Sequence, residues 1–195
     1  MNRVLSTPPT IPSGGLSGSP QPVLPVTSGG LVLRPWEPDD AAAFLSAYED
    51  AETCRWHTHR PDTEAQVRTW FAAYREDWER ERGCHWAVAR EDGAAVGRMA
   101  LRRLNLDDGV ANAAYWVLPA ARGAGVASRA LAAVGTWALE EIGFHRVELD
   151  HSTRNHASCG VATKAGYRLE GTRRGAAVHD DGRHDMHLHA RVRGD

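Results

Sequence analysis

Three cysteines in 195 residues, Cys54, Cys84 and Cys159, are odd in number and far apart, and none forms a Cys-x-x-Cys pair. That excludes a disulfide-stapled scaffold and predicts reduced thiols in a cytoplasmic protein. No apolar run approaches the roughly 18 residues that a membrane span needs, so no membrane partner is expected. Charge of one sign is also missing: 23 Lys and Arg face 25 Asp and Glu, for a formal net charge of −2. The basic residues, almost all arginine, alternate with acids in place of forming a block. Nothing in that balance draws the chain to nucleic acid or to an anionic surface.

The chain does have enough apolar material, 42% of its residues, to bury a core, and one domain is the expectation for this length. Residues 1–29 are dominated by Pro, Gly, Ser and Thr, and their apolar pairs are interrupted before an export signal could form. They read as a flexible tail, with the domain over residues 30–195. Order is expected to begin at the short strand Leu31 to Pro35.

After Glu37-Pro38-Asp39-Asp40, the apolar positions Ala41, Phe44, Leu45 and Tyr48 recur at helical spacing. Glu52 to Arg60 reads as an irregular link. A second helix opens at Asp62-Thr63 and presents Val67, Trp70, Phe71, Tyr74 and Trp78 until Gly83. From Cys84 the period shortens. His85 to Ala89, Ala95 to Leu101 and Ala111 to Leu118 read as antiparallel strands separated by Glu91-Asp92-Gly93 and Asp107-Asp108-Gly109. A helix with Ala127, Ala130, Leu131, Val134, Ala138 and Ile142 on one stripe then leads to the strand Arg146 to Asp150. A strand, a crossover helix and a strand predict a parallel pair with a right-handed connection. A short helix from Asn155 to Gly166 and the strands Tyr167 to Leu169 and Asp185 to Val192 complete a mixed α/β chain.

The chemistry centres on Tyr115 to Ala127. Pro119 stops the strand, and Gly123 and Gly125, one residue apart, let the backbone approach a ligand. The first N–H groups of the helix that follows have no internal partner, so the turn suits phosphate oxygens, with Arg122 at its lip.

Three pieces carry a resemblance to a known family: Tyr115-Trp116-Val117-Leu118-Pro119 with Arg122-Gly123-Ala124-Gly125-Val126-Ala127; Asn155-His156-Ala157-Ser158 with Lys164 to Gly171; and Asp181-Gly182-Arg183-His184-Asp185. In order and spacing the chain resembles the GNAT superfamily of acyl-CoA-dependent N-acyltransferases from about Leu31 to Val192, and among them the ribosomal-protein alanine N-acetyltransferases of the RimJ and RimL type. The resemblance implies a mixed, mostly antiparallel sheet flanked by helices, whose fourth and fifth strands splay to admit the pantetheine arm of coenzyme A. It implies that Trp116, Val117 and Leu118 offer backbone groups to that arm, and that Arg122, Gly123, Ala124, Gly125, Val126 and Ala127 wrap the diphosphate. Asn155 and Ser158 would face the pantetheine and thiol, with Ser158 as proton donor to the leaving thiolate and the N–H of Val117 or its neighbour polarising the thioester. Asn155 and Ser158 are equally ordinary as a helix cap and a first-turn residue. The acceptor pocket would be shaped by Glu52 to Arg60 and the loop Gly175 to Arg183, with Trp36, Trp56, His57 and His179 in contact with substrate.

The expected activity is transfer of an acetyl group from acetyl-CoA to a primary amine, on a protein N-terminus or a small molecule, by direct attack. The glutamates that relatives use as base fall at Asn112 and near Ala177, so the base stays open: His151 and His179 are the candidate replacements, and a short water chain to solvent or an acceptor amine of low pKa would need none. Two other readings stay open: a non-catalytic acyl-CoA-binding module that kept the cradle without the base, and a transferase using another acyl thioester. Cys159 offers an acyl-enzyme route, though it neighbours Ser158 and points about a quarter-turn away. No metal is expected. His187 and His189 share a strand face with Asp185, but His184 faces the other way, and imidazoles over a plain strand are the expected arrangement. A homodimer is compatible with the resemblance.

Overall fold

The computed structural model describes residues 7–27 and 29–195. Eight strands form one sheet: β1 (Leu24–Val26), β2 (Leu31–Pro35), β3 (Gly83–Arg90), β4 (Ala95–Asn105), β5 (Val110–Val117), β6 (Arg146–Ser152), β7 (Arg168–His179) and β8 (Gly182–Val192). Their spatial order is β1-β2-β3-β4-β5-β6-β8-β7. Every neighbouring pair is antiparallel except β5 and β6, the parallel pair that the crossover pattern predicts.

The sheet buries a different core on each face. Strand alternation sends Trp86, Val88, Met99, Leu101, Ala113 and Val117 to one side, where they pack against α4 (Val126–Thr136) and α5 (His156–Lys164). The intervening Ala87, Ala95 and Trp116 face α1 (Ala41–Ser46) and α3 (Glu64–Glu79). The helix α4 continues as a π-helical turn over Trp137–Ile142 and stops at Gly143, whose φ of 103° is a left-handed C-terminal conformation.

Three expectations need correction. The link after α1 holds a short helix, α2 (Ala51–Trp56), started by Asp50, whose carboxylate accepts the Thr53 N–H at 2.8 Å. The loop expected between the last two strands is a single long hairpin: β7 and β8 run to His179 and Gly182, with irregular pairing between Leu169 and Gly171 and between Arg173 and Ala177. The mostly exposed β7 gives no apolar alternation to read. Finally, the described part of residues 1–29 is packed, not a flexible tail. Ile11 and Leu16 are buried, β1 pairs with β2, and the indole N–H groups of Trp78 and Trp86 donate to Ser19 and Pro22 carbonyls at 3.0 and 2.9 Å. The Glu81 carboxylate accepts backbone N–H groups of Gly14, Leu16 and Ser17. Pro25 fits because β1 is an edge strand, where a missing donor costs no ladder bond.

Candidate active site

The strands β5 and β6 pair only from Val110↔Arg146 to Ala113↔Leu149, and beyond Ala113 they part. A cleft of about 870 Å³ opens at that point, between α4 and α5 on one face and α2 on the other. Gly97 pairs with Val117, and the next bond is Leu118 N–H to the Val96 carbonyl at 2.9 Å. By the alternation of an antiparallel ladder, the peptide groups of Trp116 and Leu118 are spent on β4, while those of Tyr115 and Val117 point into the gap. Of the three residues expected to offer backbone groups, Val117 is the one whose peptide groups are turned toward the gap. Trp116 lines the cleft while its ring packs in the second core against Phe44, and Leu118 packs beside that core.

The turn after β5 has the conformation its glycines suggested. Gly123 and Gly125 have φ of 79° and 72°, a region costly for residues with a Cβ. The helix α4 has no side-chain cap, whereas Asp50, Thr63 and Asn155 cap α2, α3 and α5. Its first N–H groups therefore remain available to an anion at the cleft wall, which Gly123, Gly125, Val126 and Ala127 line. Ala124 turns away into a neighbouring depression beside Arg129. Arg122 reaches the cleft, but its guanidinium is already engaged: Nε donates to the Val117 carbonyl at 3.1 Å, and Nη2 to Asp50 and to Thr53 Oγ1. That pairing holds the Asp50 carboxyl below the usual range and ties α2 to the turn.

Across the gap, Asn155 Oδ1 accepts the Ser158 N–H at 3.0 Å, so the asparagine acts as a cap. Ser158 Oγ lies 2.8 Å from the Tyr115 hydroxyl. Burial pushes the Tyr115 phenol up to about 12, and the Ser158 contact opposes this. The sequence places Tyr115 in the motif that carries the resemblance but gives it no role of its own; its place on the strand face of Ala113 and Val117 is what turns its side chain toward α5.

On the α2 side, Trp56, His57 and His179 line the cleft together. Trp56 meets the His179 ring edge-on at 5.9 Å, and His179 stacks on His184 at 4.3 Å. Burial, with Arg98 and Arg102 nearby, lowers His57 to about 4, so its ring is neutral near pH 7. Trp36 does not join them. At 5% exposure it stacks on Phe71 at 5.0 Å and meets Phe44 edge-on, which makes it a core residue. Its place directly after β2 carries it under α1 and α3.

Asn112, at the place of the usual glutamate, donates from Nδ2 to Asp150 Oδ2 at 3.0 Å, and Arg173 holds the other oxygen of Asp150. Asp150 lines the cleft, so a carboxylate does stand there, supplied by β6 in place of β5. No sequence signal marks it, since only the β5–β6 register brings it beside Asn112. His151 faces the opposite side of the sheet from Asp150. There it gathers with Cys159, His187 and His189, whose potential ligand atoms all lie within 4.8 Å of one another.

A family model described as an acetyltransferase (GNAT) domain matches residues 30–168. Among solved structures, the chain is similar to RimJ of Mycobacterium smegmatis in complex with CoA-disulfide, at 23% identity over 88% of this chain and 86% of that one, with a TM-score of 0.78. It is also similar to a ribosomal-protein-S5-alanine acetyltransferase from Vibrio fischeri, at 15% identity over 86% and 96% of the two chains, with a TM-score of 0.78. No curated protein matches the sequence. With the splayed parallel pair, the uncapped glycine turn and a family match over most of its length, the chain belongs to the GNAT acetyltransferase family.

Proposed function

We propose that the protein transfers an acetyl group from acetyl-CoA to a primary amine, with residues 30–195 working as one transferase domain. The observation that carries this reading is the parting of β5 from β6 beyond Ala113, which leaves the Val117 N–H aimed into a cleft ended by the uncapped N-terminus of α4. The diphosphate is assigned to the turn Arg122 to Ala127, where backbone donors and the helix dipole favour negative charge. Pantetheine then threads between Val117 and α5, the place that the splay leaves open. The coenzyme in the RimJ complex supports this choice of donor.

In direct transfer the acceptor gives its ammonium proton to solvent, the neutral amine attacks the thioester carbonyl while charge builds on its oxygen, and the second nitrogen proton also leaves to solvent as the amide forms. The Val117 N–H is the donor placed for that oxygen. The carbon–sulfur bond then breaks, and the thiolate takes a proton from Ser158, whose hydroxyl is held by Tyr115 at 2.8 Å and regains its proton from solvent. The acceptor enters from the α2 side, between Trp56, His57 and His179, and Asp150 is the carboxylate placed to hold its ammonium group. The RimJ and RimL likeness favours a protein N-terminus as the acceptor.

The test is to incubate the protein with acetyl-CoA and a panel of N-terminal peptides and small amines and to read acetylated amine by mass spectrometry. Acetylation of a primary amine is expected. Tight calorimetric binding of acetyl-CoA with no product from any acceptor would replace this reading with the non-catalytic binding module.

A further inference from the structure

Three imidazoles of β6 and β8 converge on the α5 side of the sheet, with His151 also lining the cleft. His151 lies opposite His187 across the β6–β8 ladder, and His189 follows two residues later on the same face. Ring centroids of His151 lie 5.4 Å from His187 and 5.1 Å from His189. Cys159, in the first turns of α5, closes the group from above, and one ligand atom from each of the four lies within 4.8 Å of every other.

The hydrogen bonds around the rings fix which nitrogens look inward. His151 Nδ1 is 2.8 Å from the Ser152 carbonyl, and His189 Nδ1 is 3.3 Å from that of Tyr167. A carbonyl only accepts, so both Nδ1 atoms carry the proton and both Nε2 atoms present lone pairs. His151 Nε2, His189 Nε2 and His187 Nδ1 are all buried and, among the described residues, have no hydrogen-bond partner. Buried ring nitrogens left unpaired are destabilising, because they give up water without gaining a partner. A backbone carbonyl holding the outer nitrogen is also the usual support for a metal-ligating histidine.

We propose that His151, Cys159, His187 and His189 form a four-coordinate site for a divalent transition metal of borderline softness, zinc foremost. Three imidazoles and one thiolate suit zinc in ligand type and number, and four protein ligands leave no open position, which makes the site structural. The ligand atoms lie within 4.8 Å of one another, whereas metal–nitrogen bonds of ~2.0–2.1 Å and metal–sulfur of ~2.3 Å set the corners of a tetrahedron roughly 3.3–3.6 Å apart, so the side chains draw in on binding. Cys159 gives up its thiol proton to solvent as the bond forms, and the imidazoles enter neutral. The metal clamps α5 to β6 and β8 and so holds the wall that carries Ser158. It also takes Cys159 out of any acyl-enzyme route.

The test uses the full chain, stripped with a chelator and titrated with Co²⁺ as a spectroscopic stand-in, then with Zn²⁺. Expected are one Co²⁺ per chain with tetrahedral visible bands and a thiolate-to-cobalt charge-transfer band, displacement by Zn²⁺, and a higher melting temperature with Zn²⁺. Cys159 and His187 are only partly buried, so Cys159→Ser and His187→Gln should fold, as checked by circular dichroism. Cys159→Ser should abolish the charge-transfer band and Cys54→Ser should keep it. Each ligand variant should weaken Zn²⁺ binding by more than the roughly 10–100-fold that loss of an outer-shell partner costs. Sub-stoichiometric Co²⁺ and Zn²⁺ uptake by the folded wild type, or a charge-transfer band that survives in Cys159→Ser, overturns the proposal.

Discussion

Ser158 and Tyr115 share one short hydrogen bond across the gap, one from α5 and one from β5. A thiol of pKa about 8.5 leaves fairly well unaided, so removing its proton donor should cost near the lower end of general-acid effects. Ser158→Ala is expected to lower kcat about 100-fold with little change in the affinity for coenzyme A. Because burial lifts Tyr115 to about 12, it stays protonated through any ordinary assay. Tyr115→Phe should therefore reduce kcat without moving the alkaline limb of the rate profile. Asp150→Asn should act on the other substrate, raising the acceptor KM roughly tenfold while leaving coenzyme A binding intact, since the carboxylate lies beyond the donor wall. His57 sets a pH dependence of stability. Its folded pKa of about 4 lies below the unfolded value near 6.5, so the unfolded chain binds the extra proton between them. Unfolding free energy should fall as pH drops from 6.5 toward 4, and His57→Gln should flatten that slope in urea titrations.

At the scale of elements, the turn into α4 was the most legible part of the site, because its constraint is local. Glycine at φ of 72° and a helix start with no Ser, Thr, Asp or Asn at the cap both leave marks in the sequence. Gly125→Ala should destabilise the protein by about 1–2 kcal/mol from backbone strain, because a Cβ there would meet nothing nearer than 3.7 Å. It should weaken coenzyme A binding as well. The stripe of α4 and the β3–β5 meander were equally readable, since each depends on period and turn residues within one stretch. What escaped was set by pairing across the chain. The strand β7 has no apolar alternation, Asp150 gains meaning only beside Asn112, and His151 and Cys159 join His187 and His189 only through sheet register and the packing of α5. Trp36 misled because an aromatic beside an expected pocket and an aromatic in a core look the same in one dimension.

Across the whole molecule, the sheet is a shared partition: one core supports the donor wall, the other the acceptor side, and the gap between β5 and β6 connects them. Residues 7–27 belong to this framework, with Ile11 and Leu16 in the donor-side core and two tryptophan N–H groups satisfied by their carbonyls. Removing residues 1–22 should lower the unfolding free energy by about 3 kcal/mol in urea, the scale of losing two buried aliphatic side chains. Direct transfer across the partition requires acetyl-CoA and acceptor to be bound at once, which an acyl-enzyme on Cys159 would not. The decisive measurement is the initial rate of thiol release from acetyl-CoA over a grid of donor and acceptor concentrations. Acceptor-dependent release with intersecting double-reciprocal lines is predicted. Parallel lines, or release that does not depend on the acceptor, would contradict direct transfer in this cleft.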